Sequence, residues 1–189
     1  MRWYIGGLLA VLVGVSGPAA EGDEISWTGA FAEGVGKLRL GEGLLLIDSA
    51  VARRVSAWRL EGRKVLVFEP VQGRQMHLIK LPRGAYRWLD IEVPYFNLPY
   101  RLSFEDEDRW AFQVQSQRIN YAGSLQVGER RGTSSIDVRW INRTAEVYSL
   151  LREAHPELLS RYGLVYAGEH PDDFLQHLIG GDQGENPDG

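Results

Sequence analysis

Four histidines are the first residues whose chemistry has to be weighed: His77, His155, His170 and His177. The last three fall near the C-terminus, with Asp172 and Asp173 close by. Imidazole and carboxylate together are a ligand set for a transition metal, and a metal so held would suit a hydrolase. His170 and His177 lie seven apart, so one helix would carry both on one face. Pro171, however, sets His170 ahead of such a helix, and there is neither a His-x3-His pair nor a His-Glu-x-x-His motif. Surface and capping histidines are the reading the spacing favours, and no metal ligand is assigned. A metal-dependent hydrolase built from C-terminal His and Asp residues stands as the alternative function.

The other reactive groups give less. Glu105-Asp106-Glu107-Asp108 is the densest acidic run. It lacks the glycine and the closing glutamate of a calcium loop. Between Phe104 and Trp110 it reads as a solvated hairpin tip. No serine sits in a Gly-x-Ser-x-Gly elbow. Ser124, after Gly123, falls inside an alternating strand and is expected to face water. Gly34-Val35-Gly36-Lys37 lacks the preceding strand and the following Ser or Thr of a phosphate loop. With no cysteine in the chain, thiol catalysis, thiolate zinc sites and a lipidated cysteine are excluded. No catalytic residue and no cofactor follow from the sequence.

Aromatic residues are the remaining feature. Tyr86, Trp88, Tyr95, Phe96, Tyr100 and Trp110 crowd into one short stretch. Trp110, Phe112 and Tyr121 suit a core, because aromatics bury the most area per residue. Tyr95, Phe96, Asn97 and Tyr100 lie around Pro94 and Pro99 in an expected loop. Together with Trp88 they form the candidate binding surface, since amphipathic rings in a stiffened loop are apt contacts for a glycan or a protein. The other reading is a loop folded back over one end of the core.

The elements that would position these residues are mostly strands. Leu44 to Ile47 is a continuous apolar run, suited to a strand buried on both faces. Lys37 to Leu40, Val55 to Leu60, Lys64 to Glu69 and Gln75 to Leu81 are further candidates. Trp110, Phe112 and Val114 alternate with Ala111, Gln113 and Gln115. Ile119, Tyr121, Leu125 and Val127 are expected to share one face, with Gly123 in the same row. Arg118, Asn120, Ser124 and Gln126 then take the wet face. Ile136, Val138 and Trp140 repeat the pattern. Turns at short intervals favour an antiparallel β-sandwich of about seven to eight strands. After Asn142, a candidate N-cap, Val147, Leu150, Leu151, Ala154 and Leu158 follow helical spacing. Pro156 breaks that helix, Gly163 ends it, and Pro171 to Ile179 is a last short helix.

Composition sets the wider limits. Net charge is −4, and the basic residues are scattered, which argues against nucleic acid as a partner. Residues 1 to 20 have the layout of a signal peptide: Arg2, an apolar stretch from Trp3 to Val15, then small residues up to Ala20. The apolar run is shorter than the roughly 20 residues that span a bilayer. Export to the periplasm or the medium is expected, with no stable membrane span after cleavage. Loss of Arg2 takes the charge from −4 to −5. The organisation expected is a signal peptide over 1–20, a flexible lead-in over 21–36, the sandwich over 37–141, a helical extension packed on it over 142–179, and a disordered tail over 180–189.

Leu81-Pro82-Arg83-Gly84-Ala85-Tyr86, followed later by Ile119-Asn120-Tyr121-Ala122-Gly123, resembles small bacterial envelope proteins of unknown function. Those are similar in plan to transthyretin-like or carboxypeptidase-regulatory-like β-sandwiches. The resemblance covers about residues 36 to 141 and implies a sandwich with a turn at Gly84 and a bulge or close approach at Gly123. It carries over no catalytic residue. The function expected is an exported, non-catalytic envelope module that binds a protein partner or a cell-wall glycan.

Overall fold

A computed structural model describes residues 25–95, 98–105, 107–129 and 136–168. Eleven strands occur among them, in two sheets, with short helices before and after. Sheet I has the order β1 (Ile25–Gly29), β5 (Gly73–Pro82), β2 (Glu42–Val51), β9 (Ile119–Glu129), β10 (Ile136–Ile141). A short β11 (Leu164–Tyr166) adds to the start of β9. Sheet II runs β4 (Leu66–Phe68), β3 (Ala57–Glu61), β6 (Gly84–Tyr95), β7 (Leu98–Ser103), and β8 (Ala111–Val114) shares the β6 edge with β7. Every pairing in sheet II is antiparallel. Sheet I is mixed, with β1 parallel to β5 and both β2 and β11 parallel to β9.

The fold is a mainly β, open sandwich, and it has a third layer. One core lies between the sheets, around Leu45, Ile47, Trp58, Trp88, Trp110 and Leu125. A second lies on the other side of sheet I, where Leu44, Leu46, Met76, Leu78, Ile119 and Tyr121 meet Val147 and Leu151 of α2 (Thr144–Ala154) and Leu159 and Tyr162 of α3 (Pro156–Tyr162). Sheet I is thus covered on both faces, as the unbroken apolar run of β2 requires. α3 begins at Pro156 and stops before Gly163, which takes φ +59. Asn142 Oδ1 accepts from the Thr144 N–H at 2.9 Å, one residue ahead of the cap position.

Several expectations are corrected by this arrangement. Residues 25–33, placed in a flexible lead-in, form β1 and the one-turn helix α1 (Ala30–Glu33). Trp27 and Phe31 anchor them against His155, each with ring centroids 4.6 Å from the imidazole. Lys37 to Leu40 is not a strand: Leu38 is buried while Leu40 is 97% exposed. Of the candidate strand Lys64 to Glu69 only the short β4 forms, and its Val67 is exposed.

The largest correction concerns β9. Ile119 and Tyr121 face the helices, whereas Leu125 and Val127 face sheet II. The register against β2 slips between Leu46–Tyr121 and Asp48–Ser124. That is a β-bulge at Ala122–Gly123, and one extra residue moves the following row to the other face. Gly123 adopts φ +130, and a Cβ there would sit 2.7 Å from the Trp140 indole. Both the backbone angle and the close ring call for glycine.

Candidate functional site

The stretch from Pro94 to Tyr100, read as a loop, is the end of a β-hairpin. Val93 pairs with Tyr100, Pro94 with Pro99, and Tyr95 with Leu98. Phe96 and Asn97 lie outside the described residues. Antiparallel pairs alternate between those that exchange two hydrogen bonds and those that exchange none. The Phe104 N–H donates to the Leu89 carbonyl at 2.8 Å, so Leu89–Phe104 and every second pair from it are of the first kind, and Pro94–Pro99 is of the second. Neither ring removes a ladder bond, and both prolines fit within strands despite the usual rule.

The hairpin divides the predicted binding residues. Tyr100 is 49% exposed and Leu98, on the same face of β7, is 70% exposed. Trp88 is no part of that surface. It is 1% exposed and stacks on Trp58 with centroids 3.7 Å apart, inside the sandwich. Arg53 Nη2 donates to the Pro94 carbonyl at 3.2 Å, tying the hairpin to the β2–β3 connection. Asp90, buried beneath the hairpin's base, accepts from Arg59 at 2.6 Å and also from Arg101. Arg59 donates in turn to Glu92 at 3.1 Å.

A second polar centre was not anticipated. Asp48 interrupts the apolar run of β2 and is fully buried on the helix side of sheet I. Its cross-strand neighbour Ser124, expected to face water, is fully buried as well. Burial pushes the Asp48 carboxyl above the usual carboxylate range, opposed by the Arg74 guanidinium and the Ser124 hydroxyl. Arg74 Nε lies 3.5 Å from Asp48 Oδ1, an ion pair rather than a formed hydrogen bond. Arg74 Nη1 donates to Glu146 in the first turn of α2. Arg143, just ahead of α2, lies 3.3 Å from the same Glu146 and donates its backbone N–H to Tyr121 Oη. A carboxylate directly after the apolar run Leu44–Ile47 was the sequence signal for this centre.

Next to it the outer face of sheet I is open. The register places Arg74, Ala50, Gln126 and Arg139 side by side on four neighbouring strands. α2 covers the rows toward Leu44 and begins at Thr144, so this row lies beyond its start. Arg143 and Asp137 border the resulting cleft of about 400 Å3.

The histidines separate. His77 Nδ1 lies 2.8 Å from Thr28 Oγ1, which couples β5 to β1. His155 is held between Trp27 and Phe31. Burial lowers the pKa of both imidazoles. His170, His177, Asp172 and Asp173 lie outside the described residues, as does Asp106. Among the described residues, no three His, Cys, Asp or Glu side chains are grouped to hold a metal ion. Glu105, Glu107 and Asp108 are exposed between β7 and β8, where Arg109 pairs with Glu107 at 2.5 Å. Compared with known family models, characterised proteins and solved structures, the chain matches none.

Proposed function

We propose that this protein is an exported, non-catalytic β-sandwich module of the bacterial cell envelope that binds a protein partner or a cell-wall glycan. The observation that carries the reading is the β6–β7 hairpin. It sits at an edge of sheet II and presents Leu98 and Tyr100 together on one exposed face. An exposed aromatic–aliphatic pair on an edge strand offers both a stacking surface and free backbone groups to a partner. Tyr95, Phe96 and Asn97 remain part of the proposal from the sequence, although Phe96 and Asn97 lie outside the described residues, while Trp88 supports the sheet from the core. The signal-peptide layout of residues 1–20 supports the location. None of the helices among the described residues is long and apolar enough to cross a membrane.

The test is site-specific cross-linking in cells, with a photoreactive residue at Tyr100 and a control at exposed Glu61 on β3. A discrete adduct at Tyr100 alone, or retention on purified cell-wall sacculi that is lost in a Leu98→Ser/Tyr100→Ala variant, is the expected result. A folded variant that keeps all adducts and all sacculus binding would remove the hairpin from the proposal.

A further inference from the structure

We propose that the cleft on the outer face of sheet I is a binding site for a small organic anion carrying a carboxylate or phosphate group. The proposal is independent of the hairpin surface, which belongs to sheet II.

The geometry starts from the row Arg74–Ala50–Gln126–Arg139. At about 4.8 Å between neighbouring strands, Arg74 and Arg139 stand roughly 14 Å apart across the sheet. Between them the floor is made of small groups: Ala50, Gly73 and Gly128 line the cleft with their backbone near the surface. Two arginines facing each other across a floor without bulk leave room for a molecule, and Arg143 at the start of α2 closes a third side. The volume, about 400 Å3, falls in the lower part of the range of small-molecule sites.

The chemistry of the walls points to an oxyanion. Guanidinium groups offer planar pairs of N–H donors that match carboxylate and phosphate oxygens. Arg74 is positioned for this by two carboxylates, Asp48 beneath it and Glu146 beside it. Its Nη2 nevertheless has no hydrogen-bond partner and is buried. A buried charged donor left unpaired is costly, and Arg74 lines the cleft where an anion would lie. Among the described residues Arg139 pairs with Asp137 at 2.6 Å; it is otherwise exposed and lines the cleft. Gln126 supplies a neutral amide between the two arginines. The charges on the walls agree: three guanidiniums, Arg74, Arg139 and Arg143, line the cleft beside a single carboxylate, Asp137. Guanidinium therefore outnumbers carboxylate on the walls of the cleft.

Titration calorimetry on the mature chain tests this, with succinate, glycerol phosphate and inorganic phosphate as probes at low ionic strength. Saturable binding of at least one probe is expected, and comparing succinate with the phosphates decides which group is preferred. Arg139→Gln should weaken it by about tenfold or more, because one charged hydrogen-bonding partner is lost. Ala50→Glu, which puts a carboxylate on the floor, should abolish it. Arg83→Gln, at the β5–β6 connection and away from the cleft, should leave it unchanged. Arg139 and Arg83 are exposed, so both variants are expected to fold, and amide shifts of Gln126 and Gly128 in a heteronuclear spectrum locate the bound probe without any variant. Absence of saturable binding by all three probes overturns the proposal. So does binding that survives Ala50→Glu or leaves the Gln126 and Gly128 amides unmoved.

Discussion

Replacing Gly123 by Ala should be among the most damaging single-methyl changes in this protein. Two costs add at that position. Gly123 has φ +130, where an L side chain is strained by about 1–3 kcal/mol. The new Cβ would also meet Trp140 Cε2 and Nε1 at 2.7 Å. Trp140 has little freedom to retreat, because its ring lies 5.1 Å from Trp110 and 6.1 Å from Trp58. Overpacking of that kind costs roughly 1–3 kcal/mol. Together they amount to about 4 kcal/mol, a large share of the roughly 5–15 kcal/mol that holds a domain folded. For a chain of this size the melting temperature should drop by roughly 8–16 °C. Urea unfolding followed by indole fluorescence reads both quantities, since Trp58, Trp88, Trp110 and Trp140 all lie in or against the core. The same change on a Trp140→Ala background keeps the backbone strain and removes the contact, so its penalty should fall to about 1–3 kcal/mol. A Gly123→Ala protein within about 0.5 kcal/mol of wild type would refute the bulge. An undiminished penalty on the Trp140→Ala background would refute the contact.

Three further outcomes are expected. Trp88→Ala should cost about 3–5 kcal/mol, as for a buried tryptophan, whereas Tyr100→Ala should stay within about 0.5 kcal/mol; denaturant melts that reverse this order would return Trp88 to the surface. Between neutral pH and mild acid the buried imidazoles and Asp48 pull in opposite directions. The lowered pKa values of His77 and His155 contribute stability that is present above 6.5 and lost as pH falls through them, while the raised Asp48 contributes stability present below 3.8 and lost as pH rises through its value. His155→Gln should therefore flatten the acid-side loss seen in urea midpoints, and a profile unchanged from wild type would count against the Trp27–His155–Phe31 contact as its cause. Mass spectrometry of the exported protein should find an N-terminus after Ala19 or Ala20, and an intact Met1 would overturn the expectation of export with cleavage.

Much of this architecture is written locally. The period of two in Trp110–Val114 and Ile136–Trp140 is enough to produce strands with one apolar side, because successive side chains must point to opposite faces. The unbroken run Leu44–Ile47 announces a strand buried on both faces, and α2 and α3 supply the second cover. Pro156 and Gly163 punctuate the helices where proline and positive φ dictate. What the local pattern does not contain is partnership. Whether Pro94 and Pro99 break a strand depends on which pair type they occupy, and that is settled only by the register with which β6 meets β7. The inward or outward sense of Leu125 and Val127 depends on a slip against β2, a strand more than seventy residues away in sequence. The same slip carries Ser124 onto the covered face beside Asp48 and sets Gln126 between Arg74 and Arg139. Those three come from separate strands with no shared motif, so no spacing in the sequence joins them. The composition and periodicity of the chain determined a mainly β protein with helices at its end. The cleft, the buried carboxylate and the exposed hairpin were decided by register, because hydrogen-bond pairing between distant strands fixes which side chains become neighbours.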